Sequence, residues 1–332
     1  MSASAYPGDG QHTAIQAYGI APPGYRLPAA TRLGAVRLQV ADLARSLEWY
    51  GRVLGLVPLD DESLDREPLG HEPLDRSPSP REPLDRPGRV ARLGAFGAGT
   101  PLVELRERPG AAPVPRRGRL GLYHYAILLP DRPALGRFLR HLSDIGERAG
   151  MSDHFVSEAL YLTDPDGLGI EMYADRPRGA WRHEDRQLSM TTIPLDVEAV
   201  LGAAGGERWS GMPSGTVLGH VHLYVADLER AAAFYHAGLG LDKTVWNYPG
   251  ALFLSAGGYH HHLGINTWAT GAVPAGPDEA RLLEWEVVVP SSRDAAEAIA
   301  SISAAGGMVE HSADGGVARD PWGTAVRVRG VG

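Results

Sequence analysis

The sequence predicts an α+β protein built from four βαβββ modules paired into two domains, and three observations predict it. The chain repeats itself: VADLARSLEWYGRVLGL (residues 40–56) returns as VADLERAAAFYHAGLGL (residues 225–241). The internal spacing is the same, so Asp42, Arg45, Tyr50 and Gly55 match Asp227, Arg230, Tyr235 and Gly240. A second phrase closes each half, DPDG at 164–167 and DPWG at 320–323. Finally, 332 residues with 43% hydrophobic content suffice for two packed cores.

Taken in order, the apolar alternation of Val36, Leu38 and Val40 predicts a strand, followed by a helix over 43–54. Asp42 is its expected N-cap and Gly55 its stop. Strand-like stretches follow at 90–96 and 102–105. The same order then recurs: strand 123–129, helix 132–145, strands at 159–162 and 169–173. The second half repeats both units, with strand 221–225, helix 228–238, strands within 244–268, strand 285–289, helix 293–304 and strands up to 329. The expected organisation is a flexible segment 1–30, a first domain 31–175, a linker 176–215 and a second domain 216–330. Residues 60–87, rich in proline and charge and nearly free of aromatics, read as a disordered insertion in the first domain.

Composition excludes several classes. There is no cysteine, so disulfides, thiolate metal sites and a cysteine nucleophile are out, and any metal must be held by His, Asp or Glu. A net charge of −8 without a basic cluster argues against nucleic acid or an anionic membrane as partner. The apolar runs are strand-length, too short to span a bilayer. The first residues lack a basic-then-apolar leader, so a cytoplasmic protein is expected.

The VADLxR…Y…LGL phrase, the strand–helix start YHYAILLPD, and the endings DPDGLGIEMYAD and DPWGTAVRV resemble the vicinal oxygen chelate superfamily. That superfamily includes glyoxalase I, bleomycin resistance proteins and type I extradiol dioxygenases. SDHFVSEALYLTDPDG (residues 152–167) and LFLSAGGYHHHLGINTW (residues 252–268) are similar to its two-domain catechol 2,3-dioxygenase-like branch. The resemblance implies glyoxalase/extradiol-dioxygenase-like domains that hold a divalent metal in a cup between paired modules, with ligands on the modules' first and last strands.

Testing those positions in the second domain selects His220, one of His260, His261 and His262, and Glu284. Such a 2-His-1-carboxylate set suits Fe(II), with Mn(II), Zn(II) or Ni(II) as alternatives. The last strand of this module is read as containing 260–262, so His260 and His262 share a face; His262 is the favoured ligand and His260 an acid–base candidate, with His222 as another. His222 and Glu286 also stand on the faces of His220 and Glu284 and could replace them. In the first domain Ala35 takes the place of His220. Glu104, His124 and Glu171 remain there as a poorer, secondary set, and this half reads as a degenerate structural copy. His154 is a loop histidine that either faces this cup or braces its loop. Tyr259 and Trp268 are candidate pocket walls.

The resemblance implies ring cleavage of a small, catechol-like aromatic by O₂, in aromatic catabolism. The alternatives are a non-redox glyoxalase-like metalloenzyme and a metal-free protein that sequesters a small molecule. The sequence leaves monomer and homo-oligomer both open.

Overall fold

A computed structural model describes residues 18–59 and 89–331. The expected insertion 60–87 and residues 1–17 of the expected flexible segment lie outside these. Residues 18–30 run along the second half, where Ile20 and Lys243 exchange backbone hydrogen bonds, each 2.9 Å, and Leu27 N–H donates to Gly240 O.

Module 1 comprises β1 (Arg32–Val40), α1 (Leu43–Trp49), β2 (Val57–Pro58), β3 (Val90–Gly94) and β4 (Val103–Glu107). Module 2 comprises β5 (Gly121–Leu128), α2 (Arg132–Asp144), β6 (Gly150–Asp153), β7 (Ser157–Thr163) and β8 (Gly169–Asp175). A connection carrying β9 (His183–Glu184), β10 (Gln187–Leu188) and α3 (Val197–Ala203) leads to module 3. That module holds β11 (Val217–Tyr224), α4 (Leu228–Ala232), β12 (Asp242–Val245), β13 (Ala251–Ser255) and β14 (Leu263–Asn266). Module 4 holds β15 (Arg281–Val289), α5 (Ser292–Ala304), β16 (Met308–Ser312), β17 (Gly315–Arg319) and β18 (Ala325–Gly330).

The repeated phrase builds the same corner twice. Asp42 accepts a hydrogen bond from Arg45 N–H at 3.0 Å, and Asp227 from Arg230 N–H at 2.8 Å, which satisfies one free amide at each helix start. Both helices then widen into a π-helical turn carrying the buried Tyr50 and Tyr235. Gly55 closes the first at φ 71°, a left-handed conformation that glycine adopts without strain.

The four modules pair into two eight-stranded sheets, but not half by half as the expected domains 31–175 and 216–330 implied. One sheet runs β16-β17-β18-β15-β1-β4-β3-β2 and joins modules 1 and 4. The other runs β12-β13-β14-β11-β5-β8-β7-β6 and joins modules 2 and 3. Each seam is an antiparallel pair of first strands, β1 with β15 and β5 with β11. Modules 1 and 2, and modules 3 and 4, meet through side chains instead. Tyr50 donates to Asp164 Oδ2 at 3.1 Å, and Tyr235 to Asp320 Oδ2 at 3.0 Å, so each repeated tyrosine binds the repeated aspartate of the next module. Backbone hydrogen bonding at a seam is indifferent to side-chain identity, so the repeat defines the modules without naming their partners.

Candidate metal centre

Register puts the site together. Across the seam of modules 2 and 3, His222 faces His124 and His220 faces Ala126, and Ala126 pairs on its other side with Glu171. Residues paired across strands, or two apart on one strand, share a face. His124, Glu171, His220 and His222 therefore project from one surface, and all four are buried.

Glu171 Oε2 stands 3.0 Å from His124 Nε2 and 3.1 Å from His220 Nε2. Among the described residues this is the group whose donor atoms lie close enough to hold a metal ion. Donors about 3 Å apart are what bonds of ~2.1 Å meeting near right angles give, as in a facial triad. The His124 contact is close yet lacks hydrogen-bond geometry, leaving that buried Nε2 without a partner among the described residues. A shared cation would satisfy it. Among the described residues the Nδ1 atoms of His124 and His220 also have no partner, so no group outside the cluster fixes either ring's tautomer. The donor set thus fits a divalent metal.

Electrostatics agrees. Burial lowers His220 to about 4, and the Glu171 charge offsets only part of that, so the ring is neutral; its Nε2–H donates to Glu171, and a metal at Nε2 would displace that proton. Burial alone would raise Glu171, but the His220 and His124 rings outweigh it and hold the carboxylate ionised.

A cavity of about 280 Å³ opens over these residues. Tyr123, Tyr248, Phe253 and Trp268 supply aromatic walls, with Met190, Thr191 and Thr192 from the connection across the mouth. His261 and His222 also line it. Burial and neighbouring histidines push both rings well below the usual histidine range, which keeps them neutral. Asn266 Oδ1 accepts from Trp268 N–H at 3.0 Å, which turns its amide nitrogen toward His222 Nε2 at 2.9 Å. His222 therefore carries its proton on Nδ1. Gly264 lies beneath that ring, where a Cβ would come within 2.9 Å of it. His154 faces this cavity and braces its loop as well. Its Nδ1–H donates to Thr191 O at 2.6 Å, which leaves Nε2 to accept from Tyr161 OH at 2.7 Å.

Only part of the set expected from sequence converges here. Glu284 lies in the other sheet, paired with Arg37 and, at 2.7 Å, with Arg327. His262 is a brace: its Nδ1 accepts from Ala256 N–H at 3.2 Å and lies 3.0 Å from Ser255 Oγ. Residues 260–262 lie in the bend that precedes β14, outside any strand, so strand alternation does not apply to them. His260 sits behind the wall, and His261 takes the cavity face. Of the secondary set, His124 and Glu171 join His220, whereas Glu104 is held in the other sheet by Arg106 at 2.7 Å and Arg92 at 3.2 Å. The ligand candidates thus come from both halves of the chain. Trp268 lines the cavity as expected, but Tyr259 packs behind it, its hydroxyl 2.6 Å from that of Tyr173.

The matching surface of modules 1 and 4 is filled by charge. Arg327 stands at the same distance after DPWG as Glu171 after DPDG, and Glu284 takes the place of His124. Arg327 pairs with Glu284, and Arg329 with Glu286 at 2.8 Å. Ion pairs hold that surface together where the other carries the ligand candidates.

The profile of the Glyoxalase/Bleomycin resistance protein/Dioxygenase superfamily matches residues 32–172 and 217–328. A protein of Bacillus subtilis (strain 168) named catechol-2,3-dioxygenase is 42% identical over 295 residues, covering 88% of this chain and 94% of its own length. A solved Bacillus subtilis structure, described provisionally as a dioxygenase, superposes with a TM-score of 0.57 at 13% identity, over 92% of this chain and 86% of that one. A mutant of glyoxalase I from Zea mays superposes with a TM-score of 0.50 at 18% identity, over 91% of this chain and 92% of that one. At these identities both structures bear on the fold alone.

Proposed function

This chain belongs to the glyoxalase/bleomycin resistance protein/dioxygenase superfamily, and from that premise we propose that it is an extradiol-type dioxygenase that cleaves a catechol-like aromatic ring with O₂. The observation that carries this reading is the convergence of His124, His220 and Glu171 beneath an aromatic-walled cavity. The relative named catechol-2,3-dioxygenase supports it.

The two histidines and the carboxylate would hold Fe(II) on one face and leave the face toward the cavity for substrate. When bound, that ion supplies Lewis acidity toward both catechol oxygens and a site for O₂. The protein's own groups do the rest. Phe253, Tyr248 and Trp268 exclude water and present faces and edges to an aromatic ring. Neutral His261 stands in the cavity wall as an acceptor for the second phenolic proton and can return it to an oxygen later, while His222, its Nε2 taken by the Asn266 amide, offers Nδ1–H as a donor. Tyr161, its hydroxyl held by His154, offers a further hydrogen-bonding group at the cavity wall.

The test is oxygen uptake with catechol after anaerobic Fe(II) loading, followed by product analysis. Stoichiometric metal binding, ring-opened product and loss of both in His220→Ala support the reading. No turnover across a panel of substituted catechols and hydroquinones overturns it. Tight metal binding without oxygen uptake would then favour a non-redox metalloenzyme.

A further inference from the structure

We propose that Asp175 and His260 are positioning residues that fix the tautomer of His261, presenting its Nε2 lone pair toward the cavity. This deepens the reading of that cavity as a proton-transfer site and rests on it for its functional consequence.

His260 is fully buried, and its Nε2 lies 2.9 Å from Asp175 Oδ1. A carboxylate oxygen only accepts, so the proton sits on His260 Nε2. In the neutral ring Nδ1 is then a lone pair. That Nδ1 lies 2.6 Å from His261 Nδ1, and a hydrogen bond between two ring nitrogens holds one proton. With His260 neutral it belongs to His261. His261 Nε2 is consequently unprotonated, on the ring edge away from His260, in a side chain that lines the cavity.

The surroundings hold this chain of contacts in place. Asp175 ends β8, the strand that also carries Glu171, and alternation puts the two carboxylates on one face. Tyr259 OH donates to the same Asp175 oxygen at 3.3 Å, and Thr244 Oγ1 donates to the His260 carbonyl at 2.7 Å. Trp181 covers the His260 ring, its centroid 5.4 Å away. The three consecutive histidines therefore have three tasks: His260 connects, His261 faces the cavity, and His262 braces the turn. Asp175 is about one-quarter exposed, so the relay runs from the solvent edge to the cavity wall.

The test is long-range ¹H–¹⁵N NMR of metal-free protein labelled with ¹⁵N-histidine at neutral pH, with His261 assigned by comparison with His261→Gln. The expected wild-type pattern is Nδ1–H with an unprotonated Nε2. Asp175→Leu should release His260 and move His261 toward Nε2–H. A wild-type His261 protonated on Nε2 overturns the proposal without any variant, as does an unchanged His261 pattern in folded Asp175→Leu. In steady-state assays Asp175→Leu should lower kcat on the order of 10- to 100-fold with KM held. The expected NMR pattern with no catechol turnover in wild type would leave the relay standing and sink the ring-cleavage reading. Normal turnover with unchanged tautomers in Asp175→Leu would sink the relay alone.

Discussion

Tyr235 donates its hydroxyl proton to Asp320 at 3.0 Å, and this bond joins module 3 to module 4 across two different sheets. Tyr50 and Asp164 repeat it at 3.1 Å. The two most visible repeats in the sequence are thus the two ends of one lock, used twice. Both tyrosines are fully buried, so Tyr235→Phe leaves a buried carboxylate oxygen without that donor. We expect it to lower the unfolding free energy by about 1–3 kcal/mol in a urea titration, with metal affinity unchanged.

The ligand assignment separates two residue sets. His124→Ala, His220→Ala and Glu171→Ala should each weaken divalent-metal binding by roughly tenfold or more in calorimetry. Glu284→Gln and His262→Asn should leave it near wild type. Loss of binding in Glu284→Gln would restore the set expected from sequence.

That contrast marks what was legible in the sequence. Modules, caps and turns were, because Asp42, Gly55 and their repeats act on neighbours a few residues away. His220 was legible as a ligand candidate from its place on a first strand. Its partners were not, because they depend on β11 pairing with β5 rather than with β15, and backbone seams leave no mark in side-chain pattern. The His260–His262 run was misassigned because a period of two holds only inside a strand. Tyr161, ten residues before Glu171, offered no spacing rule by itself, although both lie in the stretch that carried the family resemblance.

Stability should fall in mild acid. Burial holds His262 at about 3 and His220 at about 4, against 6.5 for a free histidine. The unfolded chain therefore binds protons that the folded chain refuses. The stability these rings contribute is complete above pH 6.5 and is lost as pH falls toward those values. Each such ring adds a slope of up to about 1.4 kcal/mol per pH unit. Asp164 works the other way: burial raises it from 3.8 to about 6, so its contribution is present below 3.8 and lost as pH climbs to 6. His262→Asn, which keeps an acceptor for Ala256 N–H, should flatten the acid side of a stability–pH curve, and Asp164→Asn should steepen it.

Trp268 is half-exposed at the cavity mouth, its ring 5.7 Å from His222 and 6.0 Å from Tyr123. It touches none of the ligand candidates. Trp268→Ala should raise KM for an aromatic substrate several-fold and change kcat little, because the contact is equal in ground and transition states. A fall in kcat at constant KM would place Trp268 in the chemistry instead.

One metal ion is expected where modules 2 and 3 meet. Anomalous diffraction from crystals loaded anaerobically with Fe(II) tests it most directly. One strong peak is expected within about 2.0–2.3 Å of His124 Nε2, His220 Nε2 and a Glu171 oxygen. A peak beside Glu284 or His262, or none at the three predicted ligands, would contradict it.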